Sequence, residues 1–292
     1  GVNTSPESGM DSPDRMLIAL NNPETMPPLV NLALMMRTPN KVAPLMAVNI
    51  VLEGDPSARQ QGLQLLENAE KMAASTNVRI QTFSRWSVNV VSGISHTVKE
   101  TDISYLVLGL HQKARLTDSF SGKLSTDLLT AVERQVMIYR AIIPINTVRH
   151  IHLLVPHKAE FEQGFIHWMK RLALLTRQIS CGVEVHGCAD TLAAMKRYWD
   201  KHEPNLQAIY HEYVSWTDLL PLAHDTRPDH LAVFVCARRG TISYHNYLER
   251  LPDQIERYFS ARSVLLLYPM QPAADATTVA TSFLAGVPLK VR

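Results

Sequence analysis

Short apolar runs separated by amphipathic stretches set the rhythm of this chain. Strand-like runs are predicted at Met16–Leu20, Pro44–Val51, Val78–Phe83, Asp102–Gly109 and Val136–Arg140. Between them, Leu29, Val30, Ala33, Leu34 and Met36 recur at helical spacing, as do Leu65, Leu66, Ala69, Met72 and Ala73, and further helices are expected over Val88–Lys99 and Gly122–Glu133. Asp55-Pro56 is a cap followed by proline in the first turn, and Pro27-Pro28 suits the start of another helix. Ile103–Leu108 is apolar at nearly every position, as in a parallel strand covered on both faces.

The order then restarts. Strands are expected at His150–Val155, Gly182–His186, Leu206–Tyr210, His230–Cys236 and Val264–Tyr268, with helices over Phe161–Arg177, Asp190–Lys201 and Trp216–Ala223. Strands alternating with helices of this length imply right-handed βαβ units and parallel sheets. The reading is an α/β unit written twice: a lead-in over 1–14, a first domain over 15–148, and a second over 149–292 that includes an Ala/Thr-rich tail. Each domain is expected to hold a five-stranded parallel sheet flanked by helices.

Composition narrows the function classes. The first 148 residues hold 13 basic and 13 acidic side chains, and the rest hold 16 and 14, so neither half has the basic face that nucleic acid requires. No apolar run approaches the ~20 residues that span a bilayer, so this segment is not expected to insert in a membrane. Cys181, Cys188 and Cys236 lack C-x-x-C spacing and read as buried thiols of a reducing compartment.

In open α/β sheets, ligands bind beyond the carboxyl ends of the strands. The turn after Ile103–Leu108 reads Gly109-Leu110-His111-Gln112, then nine residues, then Gly122-Lys123. It is not a Walker A loop, which needs four residues between its glycines and a hydroxyl residue where Leu124 stands. At the corresponding place in the second half, Arg238-Arg239-Gly240-Thr241 could clamp a phosphate or carboxylate, or form an exposed turn whose arginines pair with acids such as Glu249. Ten of the twelve histidines lie from His150 onward and could sense pH near neutrality. No metal site is expected, since His186-x-Cys188 is a single pair, and no nucleophile elbow or acid/base constellation points to catalysis. Trp168, Trp199 and Trp216 read as core or seam residues.

The loop Gly109…Gly122 resembles the nucleotide loop of the universal stress proteins, Gly-x2-Gly-x9-Gly-Ser/Thr, with Gln112 and Lys123 replacing the middle glycine and the hydroxyl residue. Asn21 stands where that family commonly has an acidic ribose ligand. More narrowly, Asn22-Pro23-Glu24, Val107–His111 with Asp118–Lys123, and Ala237–Tyr244 resemble the cytosolic tail of monovalent cation:proton antiporters, over roughly Arg15 to Pro269. The resemblance implies two tandem Rossmann-type domains of the adenine nucleotide alpha hydrolase-like class, pairing as an intrachain pseudo-dimer through Val136–Tyr139 and Val264–Leu267. It further implies a non-catalytic cytosolic regulatory module attached to a transmembrane exchanger domain of the same protein, itself a homodimer. ATP or another adenine nucleotide would meet Asn21, Gly109, Gln112, Gly122 and Lys123, with Arg238, Arg239 and Gly240. A free-standing ATP-binding stress protein is the alternative.

Overall fold

The computed structural model describes residues 14–39, 44–111, 123–212 and 215–271. Most of the lead-in, the Ala/Thr-rich tail, Gln112 and Gly122 lie outside them.

The first half runs β1 (Met16–Ala19), α1 (Met26–Met36), β2 (Leu45–Leu52), α2 (Pro56–Ala74), β3 (Ile80–Ser87), α3 (Val90–Thr101), β4 (Tyr105–Gly109), α4 (Lys123–Ala131) and β5 (Gln135–Arg140). The second runs β6 (His150–Leu154), α5 (Phe165–Ile179), β7 (Gly182–Gly187), α6 (Ala189–His202), β8 (Ala208–Glu212), α7 (Leu220–Asp225), β9 (His230–Val235), α8 (Leu251–Phe259) and β10 (Ser263–Tyr268). Asp55 caps α2, its carboxylate accepting from the amides of Ser57 and Ala58. Asp102, expected to open a strand, instead ends α3 in the left-handed region at φ 46°. A short polar side chain tolerates that conformation better than the β-branched residues around it.

The ten strands form one continuous sheet in the order β3-β2-β1-β4-β5-β10-β9-β6-β7-β8, rather than two separate five-stranded sheets. Every pairing is parallel except the central one, where β10 runs antiparallel to β5 with Leu266 opposite Ile138 and Leu265 opposite Tyr139. The reason lies in those strands themselves. All six residues of β5 are buried, as are five of the six in β10. Each strand is the edge of its own half, and an apolar edge with unpaired backbone groups is costly until it meets another.

Helices cover both faces of the sheet except toward β8, and both cores run through the junction. One joins α1 and α2 to α5 and α6 and contains Trp168 and Trp199; the other lies under α3, α4, α7 and α8 and contains Trp216.

Polar braces reinforce the seam. The buried guanidinium of Arg140 donates to the carbonyl of Phe259 (2.8 Å) and lies 3.6 Å from Glu256. The Ser263 hydroxyl accepts from the amides of Ile142 (2.9 Å) and Ile143 (3.3 Å). On α5, Arg171 reaches across to the Met36 carbonyl and the Asp14 carboxylate, its guanidinium 4.2 Å over the Tyr105 ring.

Candidate functional site

In the first half, β1 and β4 lie side by side although α1 leads from β1 toward β2 and β3, so the order reverses between them. Helix crossovers diverge at such a switch point and leave a crevice at the carboxyl ends. Just after β1, the Asn22 side chain accepts from the Glu24 amide (2.8 Å), and the Asn22 carbonyl accepts from Thr25 and Met26. This tight turn projects Glu24 over the end of β4, where its carboxylate meets the imidazole of His111. Pro27 and Pro28 in the first turn of α1 carry no amide hydrogen, so this helix start offers little to an anion.

Beneath the Glu24–His111 pair lies a crevice of about 340 Å³, whose walls include Thr25, Leu29, Gly109 and Tyr139. Gly109 is needed for packing: a Cβ there would stand 3.1 Å from the Thr25 Cβ. Tyr139 on β5 is buried, and its phenol oxygen has no hydrogen-bond partner among the described residues. Burial pushes its pKa up, so it stays a neutral donor. The crevice therefore presents a carboxylate and an imidazole over a buried aromatic floor, a set suited to a small polar molecule with hydroxyl or amine groups.

The residues expected from sequence do not all converge here. Gly109 forms the crevice wall, whereas Asn21 is exposed beside it at the end of β1. Lys123 opens α4. Arg238, Arg239 and Gly240 are at the opposite end of the sheet. The antiparallel pairing of β10 with β5 makes the carboxyl ends of the two halves point in opposite directions, so these residues and Gly109 cannot line one pocket.

Nor does Arg238 present its charge to solvent. It is buried and donates to the carbonyls of Leu129 (2.9 Å), Val132 and Arg134 (2.5 Å), bracing the end of α4. Burial lowers its pKa to about 10, which still leaves it charged. Arg239 is exposed and pairs with Glu249 at 2.9 Å, and Gly240 turns the chain at φ 86°.

At the carboxyl edge of the second half, polar groups already satisfy one another. Glu162 accepts from the Ser243 amide (3.0 Å) and hydroxyl (2.5 Å), the Thr191 hydroxyl donates to Glu160 (2.6 Å), and Cys188 contacts His157 at 2.9 Å. His186 and Cys188, two apart in sequence, thus serve different neighbours, since His186 stacks on His211. The expectation of histidines titrating near neutrality fails for two of them. Burial lowers both His152 and His186 to about 4, outweighing the nearby Glu184 carboxylate that raises them, so they are uncharged near pH 7. Glu24 and His111, both missed as site residues, are 87 residues apart and meet only because β1 and β4 are neighbours.

No protein-family model and no curated protein matches the chain. Solved structures do. A universal stress protein from Archaeoglobus fulgidus DSM 4304 superposes with a TM-score of 0.57 at 9% identity, covering 89% of this chain and 97% of that one. The fold is that of the universal stress proteins. A functionally unknown protein from Pseudomonas aeruginosa PAO1 shares it (TM-score 0.59, 14% identity, 88% and 92% covered). So does the cytoplasmic domain of a prokaryotic cation chloride cotransporter, with a TM-score of 0.56 at 11% identity over 91% of this chain and 98% of that one. Among the described residues of this universal stress protein-like chain, no helix is long and apolar enough to cross a membrane.

Proposed function

We propose that the chain is a non-catalytic, cytosolic regulatory and assembly module of a monovalent cation:proton antiporter. In this reading the two halves act as an intrachain pseudo-dimer that carries the signal as one body. A transmembrane exchanger domain of the same protein is its partner, and the whole assembles as a homodimer. The observation that carries the reading is the end-to-end likeness to a transporter's cytoplasmic domain, held by a body whose two halves share one sheet and two cores. Such a body can transmit a displacement without losing it to internal motion.

The Glu24–His111–Tyr139 crevice is the regulatory input, and an adenine nucleotide or nucleoside is the ligand class it fits. Glu24 would accept from ribose hydroxyls. A ligand there shifts the transporter only by its differential affinity for two arrangements of the module. A free-standing stress protein with the same ligand is the second reading, favoured by the crevice's position at the switch point.

Calorimetric titration of AMP, ADP and ATP into the chain tests the input: saturable binding weakened by Glu24→Gln supports it, and no heat with any of them removes it. Ion-driven proton flux in vesicles carrying the full-length protein separates the two readings. Flux changed by deleting residues 15–271 is expected of the antiporter module. A protein with no transmembrane part leaves the stress-protein reading.

A further inference from the structure

A sheet face under a helix is ordinarily apolar. In the first half, α3 has 12 residues and packs on β2 and β3, burying Met46, Val48 and Ile94 between them. Its counterpart in the second half, α7, has 6 residues and packs against α8. The face of β7 and β8 on that side is only partly covered, with Ile209 55% exposed and Glu184 half-buried, while His152 on β6 is buried. The face carries an unusual row of side chains. Strand register places His150 beside His230, His152 beside Glu184, and His186 beside His211, all on this one face.

These side chains converge on one carboxylate. His150 Nε2 lies 3.1 Å and His152 Nδ1 3.3 Å from the same oxygen, Oε2 of Glu184. The three ligand atoms lie within 4.8 Å of one another. Tetrahedral bonds of about 2.0–2.2 Å to a zinc-type ion would separate ligand atoms by about 3.4 Å, close to these distances. Gly182, opposite His150 in register, brings no side chain that would crowd the pair.

The outer contacts orient the ligands. His230 Nδ1 accepts from the Arg227 amide (3.1 Å), which marks it as an acceptor. The proton in its 3.1 Å contact with His152 Nε2 therefore belongs to His152. That tautomer leaves His152 Nδ1 with a lone pair, 3.3 Å from Glu184 Oε2 and 3.4 Å from His186 Nε2. A cation between His152 Nδ1 and the carboxylate would be coordinated by both. Glu184 Oε1 meanwhile meets His211 Nε2 at 3.2 Å, and His186 Nε2 stands 3.4 Å from His152 Nδ1, near a fourth position. Metal-bound histidines commonly donate their second N–H to an acceptor, as His152 Nε2 does to His230 Nδ1.

We propose that His150, His152 and Glu184 form a binding site for one divalent transition-metal ion of the zinc class on this partly covered sheet face. Two imidazoles and a carboxylate suit Zn²⁺, Co²⁺ or Ni²⁺ rather than the all-oxygen preferences of Mg²⁺ and Ca²⁺. The ion ties β6 to β7 where no helix does so.

The test uses the full chain, free of any histidine tag, stripped with chelator and titrated with Zn²⁺ and separately with Co²⁺. One Zn²⁺ per chain is expected by calorimetry. Co²⁺ should give the visible bands of a four-coordinate nitrogen and oxygen site without a thiolate charge-transfer band. Glu184→Gln and His150→Gln should each weaken Zn²⁺ binding by about 100-fold, the upper end of what even outer-shell losses cause, while Cys188→Ser leaves it unchanged. Absence of saturable 1:1 binding overturns the proposal, as does a thiolate band, which would place the ion at Cys188. Affinity unchanged in both folded variants overturns it too. If a variant fails to fold, the Co²⁺ spectrum of the wild-type chain decides.

Discussion

Replacing Arg238 with alanine should weaken the fold far more than any surface arginine change. The side chain is 7% exposed and donates to three main-chain carbonyls, those of Leu129, Val132 and Arg134. Each such bond contributes about 1 kcal/mol net, and the buried acceptors left behind lose their partner. A cation at the carboxyl end of α4 adds roughly 0.5 kcal/mol through the helix dipole. Arg238→Ala should therefore cost about 3–4 kcal/mol in urea unfolding, or roughly 6–16 °C in Tm at about 2–4 °C per kcal/mol. Arg239→Ala is the internal control. Its pair with Glu249 is exposed on both sides, and such pairs contribute within about 0.5 kcal/mol. A loss below about 1 kcal/mol for Arg238→Ala, with abolished binding of an anionic ligand, would refute the brace and restore an anion clamp.

Other substitutions probe the crevice and the seam. Gly109→Ala should push the Thr25 turn outward and destabilise by about 1–2 kcal/mol, read by thermal unfolding, because overpacking of this kind carries such costs. Tyr139→Phe should leave stability unchanged or raise it by up to about 1 kcal/mol, since it removes a buried hydroxyl with no partner among the described residues. Ser263→Ala should cost about 1–2 kcal/mol in urea, because the amides of Ile142 and Ile143 lose their acceptor. In chelator, stability should fall as pH drops from about 6.5 toward 4, because folding holds His152 and His186 neutral at about 4 while the unfolded chain protonates them near 6.5. A flat urea midpoint across that window would contradict the burial of these rings.

Strands were legible wherever burial on both faces left an unbroken apolar run, as in Met16–Ala19 and Tyr105–Gly109. Helix starts were legible where Asp55-Pro56 and Pro27-Pro28 announce them. The failures have a common physical cause. Periodicity describes one element at a time, and the direction in which two halves meet depends on edge pairing between β5 and β10, over 120 residues apart. Without the antiparallel seam, Gly109 and Arg238 looked like two walls of one site, when in fact they face opposite ends. His152, Glu184 and His230 show the same limit: each sits on a different strand, and only register brings them together. Glu24 and His111 lay inside quoted motifs but acquired a role only once the switch point had been located.

Native-state hydrogen exchange on β5 and β10 tests the central claim most directly. If the two halves share one sheet, amides over Val136–Arg140 and Val264–Tyr268 should exchange only with global unfolding and respond together to urea. Exchange in those two strands as fast as in the outer strands β3 and β8 would show two separate sheets with open edges, and the account would be wrong.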